Sequence, residues 1–241
     1  MRYAIISDIH SNLEALRAVL DDAHGRADAV VCLGDVVGYG AEPAACIELV
    51  AERCQAVVGG NHEHAVAGLL ALDWFNPYAR AAAEWTRDRL DHDYRAWLAV
   101  LPLVRELEDA TLVHASPAQP DEWEYLMSAE DGYAAFPAFA TRLCFVGHSH
   151  VPGVWMQGSW GRAHEPGVGE ITIDPGTRYI VNVGSVGQPR DRDPRAAWAL
   201  WDTEARRVSV RRVAYDVHAA RAKIVAAGLP RFLADRLAQG R

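Results

Sequence analysis

Short apolar runs recur along the chain, and amphipathic stretches lie between them. Tyr3-Ala4-Ile5-Ile6, Ala29-Val30-Val31-Cys32-Leu33 and Ala56-Val57-Val58 are apolar throughout, the pattern of strands covered on both faces. Leu13, Leu16, Val19 and Leu20 recur with helical spacing after the first run, and Ser11 with Glu14 forms an S-x-x-E capping box that predicts a helix start at Ser11. Pro43 opens a second helix through Leu49 and Val50. This β-α-β-α-β order predicts a parallel sheet with right-handed crossovers.

Residues 64–101 are predicted helical. Leu69, Leu70, Trp85, Leu90, Trp97 and Leu101 recur there among charges, Pro77 opens one helix, and Trp74 and Phe75 read as core or as an exposed face for a partner. A hairpin follows, with strands at Val104 to Leu107 and Thr111 to His114 joined at Glu108-Asp109. A loop from Ala115 to Tyr125, a helix near 128–140 and a strand Leu143 to Val146 come next. From Val151 the pattern turns to consecutive strands: Val154 to Met156, Glu170 to Ile173, Tyr179 to Val183, Ala197 to Trp201 and Val208 to Val213. They predict a second, largely antiparallel sheet packed on the first. Helices from Asp216 to Ala227 and after Pro230 close the chain. No Gly/Ser-rich linker divides it, so 1–241 reads as one domain with a helical insertion at about 64–101 and C-terminal helices at about 216–238.

A length of 241 residues can bury a full core. Half the residues are hydrophobic, which fits a globular protein. No signal region or bilayer-length apolar run is present, and Cys32, Cys46, Cys54 and Cys144 lack C-x-x-C spacing, so they read as reduced thiols of a cytoplasmic protein. A net charge of −8 without a basic stripe argues against nucleic acid as partner. The charge is uneven, acidic from Glu84 to Asp131 and Arg-rich after Arg178. A homo-oligomer is compatible with this sequence.

The chemistry gathers where apolar runs end. Asp8 and His10 follow the first, Asp35 the second, Asn61 and His62 the third, His114 the hairpin, and His148 and His150 the run at Leu143. Ligands on α/β sheets collect at strand ends, and a carboxylate and an imidazole two residues apart can grip one metal ion. Half of the ten histidines fall in this set, while His24, His64, His92, His164 and His218 read as surface or structural.

D-I-H, G-D, G-N-H-E, a lone His after a strand and G-H-S-H, in that order, resemble the five motifs of the calcineurin-like metallophosphoesterases. Residues 182–190, N-V-G-S-V-G-Q-P-R, are similar to the N-P-G-S-V stretch of its small bacterial phosphodiesterase branch. The resemblance covers residues 1 to about 190, with Glu63 in place of the commoner Asp and Val183 in place of Pro. It implies an α/β fold of four layers, an αββα sandwich of two mixed β-sheets flanked by helices. It also implies that Asp8, His10 and His150 bind one metal ion, that Asn61, His114 and His148 bind a second, and that Asp35 bridges both. His62 is then no ligand but faces the substrate.

Such residues suit the chemistry. Two divalent ions about 3.5–4 Å apart clamp the attacking and leaving oxygens of an in-line displacement, and a shared water with a pKa of about 7 or lower serves as nucleophile. Mixed oxygen and nitrogen ligands suit Mn, Fe, Ni, Co or Zn, with Mn favoured. His62 would stabilise the phosphoryl oxygens or protonate the leaving group. Asn61, His62 and Arg190 are the candidate substrate contacts; Arg190 and Arg192, standing among Asp191 and Asp193, read more readily as solvated salt-bridge partners. Trp123 and Tyr125 read as packing over the hairpin, with stacking on a substrate ring the lesser option. The expected function is a dinuclear-metal phosphodiesterase acting on a small phosphoester. Its alternatives are a phosphomonoesterase, protein phosphatase or dinucleoside polyphosphate hydrolase and, from another class, a catalytically silent metal-binding scaffold. A metallo-β-lactamase type would need H-x-H-x-D-H, which the chain lacks.

Overall fold

The computed structural model describes residues 1–158, 161–166 and 169–241, with side chains excepted in 161–166; the reading of His164 therefore lies outside the described side chains. The first sheet begins with three parallel strands, β1 (Arg2–Ile6), β2 (Ala29–Cys32) and β3 (Cys54–Val57). Helices α1 (Leu13–Ala23) and α2 (Pro43–Arg53) connect them. Helices α3 (Asn61–Ala67), α4 (Pro77–Arg89) and α5 (His92–Ala99) follow, with a short turn of 3₁₀ helix at Leu72–Trp74. The hairpin β4 (Val104–Leu107) and β5 (Ala110–Val113) leads through α6 (Ala129–Ala135) to β6 (Leu143–Val146). Then come β7 (Gly153–Gly158), β8 (Gly161–Pro166), β9 (Glu170–Thr172), β10 (Arg178–Asn182), β11 (Ala196–Asp202) and β12 (Arg207–Val213), and helices α7 (Val217–Ala226) and α8 (Arg231–Leu237).

These strands form two mixed sheets of six, ordered β3-β2-β1-β11-β12-β9 and β4-β5-β6-β10-β7-β8. The later strands therefore build no sheet of their own, contrary to the pattern-based expectation. β1 is apolar and buried, so its backbone groups need partners on both sides. β2 supplies one side, and β11 supplies the other in antiparallel register, Ile5 opposite Ala199. In the same way β10 adds in parallel to β6 and antiparallel to β7.

Period-two alternation explains the four layers. Tyr3 and Ile5 face inward, packing with Leu112, Phe145, Val181 and Trp201 between the sheets. Ala4 and Ile6 face outward against Leu16, Val19, Ile47 and Val50 of α1 and α2. On the far side, Val113, Cys144, Val146 and Ile180 pack under Phe136 and Phe139 after α6. The C-terminal helices cover Tyr39 through Ile224 and Leu233, together with Ala79 and Ala82 of α4.

One local prediction is corrected. Asn12, not Ser11, caps α1, its Oδ1 accepting from Ala15 N–H at 3.1 Å. Ser11 instead takes a left-handed backbone, and its N–H donates across to Val36 O at 2.8 Å, tying the first loop to the second. Among the described residues no helix is long and apolar enough to cross a membrane. All four cysteines are free.

Candidate metal centre

The loops that leave β1, β2, β3, β5 and β6 meet at one edge of the sandwich. Asp8, His10, Asp35, His148 and His150 all have left-handed backbones, with φ of +54°, +51°, +53°, +66° and +62°. For a side chain larger than glycine this costs about 1–3 kcal/mol per residue, and it persists only where surroundings enforce it. Here the loops bind one another. Asp8 N–H donates to Gly34 O at 3.0 Å and His10 N–H to Asp35 O at 2.9 Å. Asp8 O accepts from Gly187 N–H at 2.9 Å and from Ser185 Oγ at 2.8 Å. Asn182 Nδ2 donates to Gly147 O at 2.6 Å, holding the G-H-S-H loop. The N-V-G-S-V-G-Q stretch is thus the clamp on both histidine loops.

Each carboxylate is fixed by one oxygen and presents the other. Asp8 Oδ2 accepts from His148 N–H at 3.0 Å, while its buried Oδ1 has no hydrogen-bond partner. Asp35 Oδ1 accepts from His62 N–H at 3.0 Å, leaving Oδ2 3.6 Å from His10 Nε2 and 3.3 Å from His114 Nε2.

The imidazoles are aimed in the same way. A carbonyl only accepts, so a ring nitrogen bonded to one carries the proton. His10 Nδ1 donates to Val37 O at 3.0 Å, and His150 Nδ1 to Gln188 O at 2.5 Å. Their Nε2 atoms, then bearing lone pairs, stand 3.1 Å apart, with Asp8 Oδ1 3.2 Å from that of His150. His114 Nδ1 donates to Leu33 O at 2.9 Å, and His148 Nε2 to Trp123 O at 2.9 Å. Their inner nitrogens also stand 3.1 Å apart. At His10 and His150 two lone pairs are therefore pressed together, while at the second pair His114 Nε2 stands 3.3 Å from Asp35 Oδ2, which lies between the two pairs. A pair of divalent cations fits this donor set: carboxylate oxygen and imidazole nitrogen, each imidazole oriented by a carbonyl behind it.

The electrostatics agree. Burial pushes His10 and His150 below the ordinary histidine range and brings His148 down to about 3, so these rings are neutral at pH 7. Burial also acts to lower His114, but Asp35 outweighs it by charge and hydrogen bond and lifts the ring to about 9. Burial acts to raise both Asp8 and Asp35, but the facing histidines hold them well below the usual carboxylate range.

Asn61 and His62 lie at the edge of this cluster. Asn61 Oδ1 is buried without a partner, as is His62 Nδ1. Potential ligand atoms of His10, Asp35 and His62 lie within 4.8 Å of one another, as do those of Asp8, His10 and His150, and of Asp35, His114 and His148. His62 thus sits close enough to be a ligand as well as a substrate contact. Its ring packs edgewise on Phe75 at 5.1 Å and beside Tyr39 at 4.6 Å, and burial brings its pKa down to about 4.

Sequence reasoning undervalued Glu63. It is fully buried, and Oε2 accepts from Asp35 N–H at 2.6 Å and Gly60 N–H at 2.8 Å while Oε1 accepts from Val37 N–H at 3.2 Å. It stitches the second loop to the start of α3. Burial, then the charge of Asp35, pushes its carboxyl up to about 7, opposed by those N–H donors.

Above the cluster opens a cleft of about 340 Å³ whose lining includes Asp35, Asn61, His62, His148, His150 and Arg190. Trp123 and Tyr125 line it as well, and Trp123 also meets His114 at the end of the hairpin, centroids 6.2 Å apart; the loop turns left-handed at Trp123, whose carbonyl accepts from His148 Nε2. Arg190 is also corrected. Asp191 pairs with Arg212 and Asp193 with Arg195, which leaves Arg190 without an ion pair among the described residues and directed to the cleft. Arg192 does not line it.

The two-sheet sandwich and this cluster of acids and imidazoles at its strand ends are those of a metallophosphoesterase. Residues 1–206 match the family model of the calcineurin-like phosphoesterase superfamily domain, and the chain belongs to that superfamily. The family is one of phosphoric ester hydrolases dependent on divalent metal. A metallophosphoesterase from Sphaerobacter thermophilus is 45% identical, with a TM-score of 0.87 over 100% of this chain and 99% of that one. An uncharacterized protein of Methanocaldococcus jannaschii is 41% identical over 99% of this chain and 98% of its own length. A hypothetical protein from Pyrococcus horikoshii OT3 shares the fold at 22% identity, with a TM-score of 0.80 over 100% of this chain and 98% of that one.

Proposed function

We propose that this chain is a cytoplasmic phosphodiesterase that hydrolyses a small phosphoester with two divalent transition-metal ions, Mn favoured. Asp8, His10 and His150 would hold one ion, Asn61, His114 and His148 the other, and Asp35 would serve both. The observation that carries the reading is the His10–His150 pair, whose lone-pair nitrogens stand 3.1 Å apart with no donor between them, beside an Asp8 Oδ1 buried without a hydrogen-bond partner. Such ions supply Lewis acidity, which activates water and offsets phosphoryl charge.

The chain's own residues do the rest. Asn61 and His62, which line the cleft, would set the phosphoryl group over the cluster, and the Arg190 guanidinium, steadied by Nη2 donating to Gln188 Oε1 at 3.0 Å, would bring positive charge to its free oxygens. His62 enters neutral, and an anionic phosphoryl group beside it favours its protonated form; it then donates to a phosphoryl oxygen or to the departing alkoxide. Among the described residues Arg190 is the only Arg or Lys lining the cleft, and Asp121 and Glu122 share that lining. That balance suits a singly charged diester better than a dianionic monoester. The free cysteines suit a reducing compartment.

The test is hydrolysis of bis-p-nitrophenyl phosphate against p-nitrophenyl phosphate, using protein stripped of metal and reloaded in turn with Mn, Ni, Co, Zn or Mg. Metal-dependent cleavage favouring the diester supports the reading. Preference for the monoester moves the assignment to a phosphatase. No turnover in protein that retains two ions per chain points to the silent scaffold.

A further inference from the structure

The cleft has a second chemistry that hydrolysis itself does not use. Trp74, on the 3₁₀ turn after α3, is 87% exposed, and among the described residues no ring or cation covers it. From a segment some fifty residues away, Trp123 and Tyr125 line the same cleft. Tyr125 stacks on His148 with centroids 4.0 Å apart and planes 20° apart, and half of its surface remains exposed. Trp123 is held edge-on to His64 at 5.0 Å, on a backbone with φ of +58°. An exposed tryptophan lining one cleft with two further aromatic rings, each anchored on a histidine, offers stacking surface for a flat ring.

The charges narrow the ring's identity. Asp121 and Glu122 precede Trp123 in the lining. Carboxylates accept hydrogen bonds and donate none, so they suit hydroxyl or amino donors and repel further phosphates. Among the described residues Arg190 is the sole Arg or Lys that meets the cleft, which provides for one phosphoryl group rather than a chain of them.

We infer that the substrate carries a nucleoside on its single phosphodiester, with the base stacked at Trp74, Trp123 and Tyr125 and the sugar or base donors met by Asp121 and Glu122. This inference rests on the phosphodiesterase reading and names its substrate class. A polyphosphate between two nucleosides fits the same cleft less well, because its additional charges would meet the two carboxylates.

The experiment compares three diesters on the Mn-loaded protein: adenylyl-adenosine, with rings and donors; bis-p-nitrophenyl phosphate, with rings alone; and glycerophosphoglycerol, with hydroxyl donors but neither a ring nor a cation that aromatic faces would attract. KM is the parameter read, since nitrophenolate leaves more readily than an alkoxide. The expected order of KM is adenylyl-adenosine lowest and glycerophosphoglycerol highest. Trp74→Ala, at a site too exposed to threaten folding, should raise KM for adenylyl-adenosine about tenfold, shift that for glycerophosphoglycerol less than twofold, and be largely reversed by Trp74→Phe. Equal KM for adenylyl-adenosine and glycerophosphoglycerol, or a Trp74→Ala effect of the same size on both, overturns the inference. A low KM for the nitrophenyl ester alone keeps the ring site and overturns the nucleoside. Binding of adenosine to the Mn-loaded protein, followed by titration calorimetry, separates the two readings. If no diester is cleaved but adenosine binds and Trp74→Ala weakens it, the phosphodiesterase reading has failed and the ring site stands. If diesters are cleaved and adenosine does not bind, the ring site has failed.

Discussion

A single methyl group at Gly60 should disable the centre while leaving the fold in place. A Cβ built on Gly60 would stand 2.2 Å from Asp35 Oδ1 and 2.8 Å from Asp35 N, whereas ordinary van der Waals contact begins near 3.4 Å. The carboxylate must therefore retreat by about 1.2 Å, the difference between 3.4 and 2.2 Å. It cannot do so freely, because Oδ1 accepts from His62 N–H at 3.0 Å and Oδ2 lies between His10 and His114. A displacement of about 1 Å in a positioned catalytic group costs about 100-fold in rate. Gly60→Ala should accordingly lower kcat on bis-p-nitrophenyl phosphate about 100-fold in Mn-loaded protein and weaken binding of both ions. The 2.8 Å approach to Asp35 N is to backbone, so overpacking should also cost about 1–3 kcal/mol, a fall of about 2–12 °C in thermal midpoint that leaves the protein folded at assay temperature. Gly169→Ala is the control, since nothing lies within 4 Å of a Cβ there, and it should be silent. Turnover of Gly60→Ala within threefold of the parent would refute the placement of Asp35 at the core of the centre.

Other outcomes follow from the same geometry. Glu63→Ala leaves the buried N–H groups of Asp35, Gly60 and Val37 without their acceptor; at about 1–3 kcal/mol for each orphan, less what entering water restores, stability should fall by about 3 kcal/mol or more, seen as a drop of about 6–12 °C in thermal midpoint. His62→Ala should retain two ions by elemental analysis yet turn over about 10²–10⁴-fold more slowly; loss of an ion in that variant would make His62 a ligand instead. His114, lifted to about 9 in the metal-free protein, is protonated at pH 7, so an entering ion must displace that proton. Calorimetry in buffers of different ionisation enthalpy should show about one proton released per chain at pH 7, and metal affinity should rise with pH until it levels near 9.

Which parts of this were legible in sequence follows a physical division. Apolar runs covered on both faces announce themselves, so β1, β2, β6 and their terminal acids and histidines could be read directly. Sheet membership could not, because β10 and β11 look alike in pattern while one extends the second sheet and the other the first. What decides between them is the unsatisfied edge of a distant strand. The capping box at Ser11 misled for a related reason: its backbone was needed by Val36 across the loop, and Asn12 took over the cap. Glu63 looked like a small departure from a motif, yet its length lets one carboxylate reach three backbone donors on two loops. The left-handed backbones at five of the candidate metal ligands carry no signal in the residue types, since Asp and His are written the same way in either conformation. Trp74, Trp123 and Tyr125 stood out as aromatic but could not be joined to one cleft without the fold.

The most direct test of the central claim is anomalous diffraction from crystals of the Mn-loaded protein. Two Mn peaks per chain are predicted, about 3.5–4 Å apart, one against Asp8, His10 and His150, the other against Asn61, His114 and His148, with Asp35 Oδ2 between them. A single peak, or two peaks that Asp35 does not share, would contradict the account.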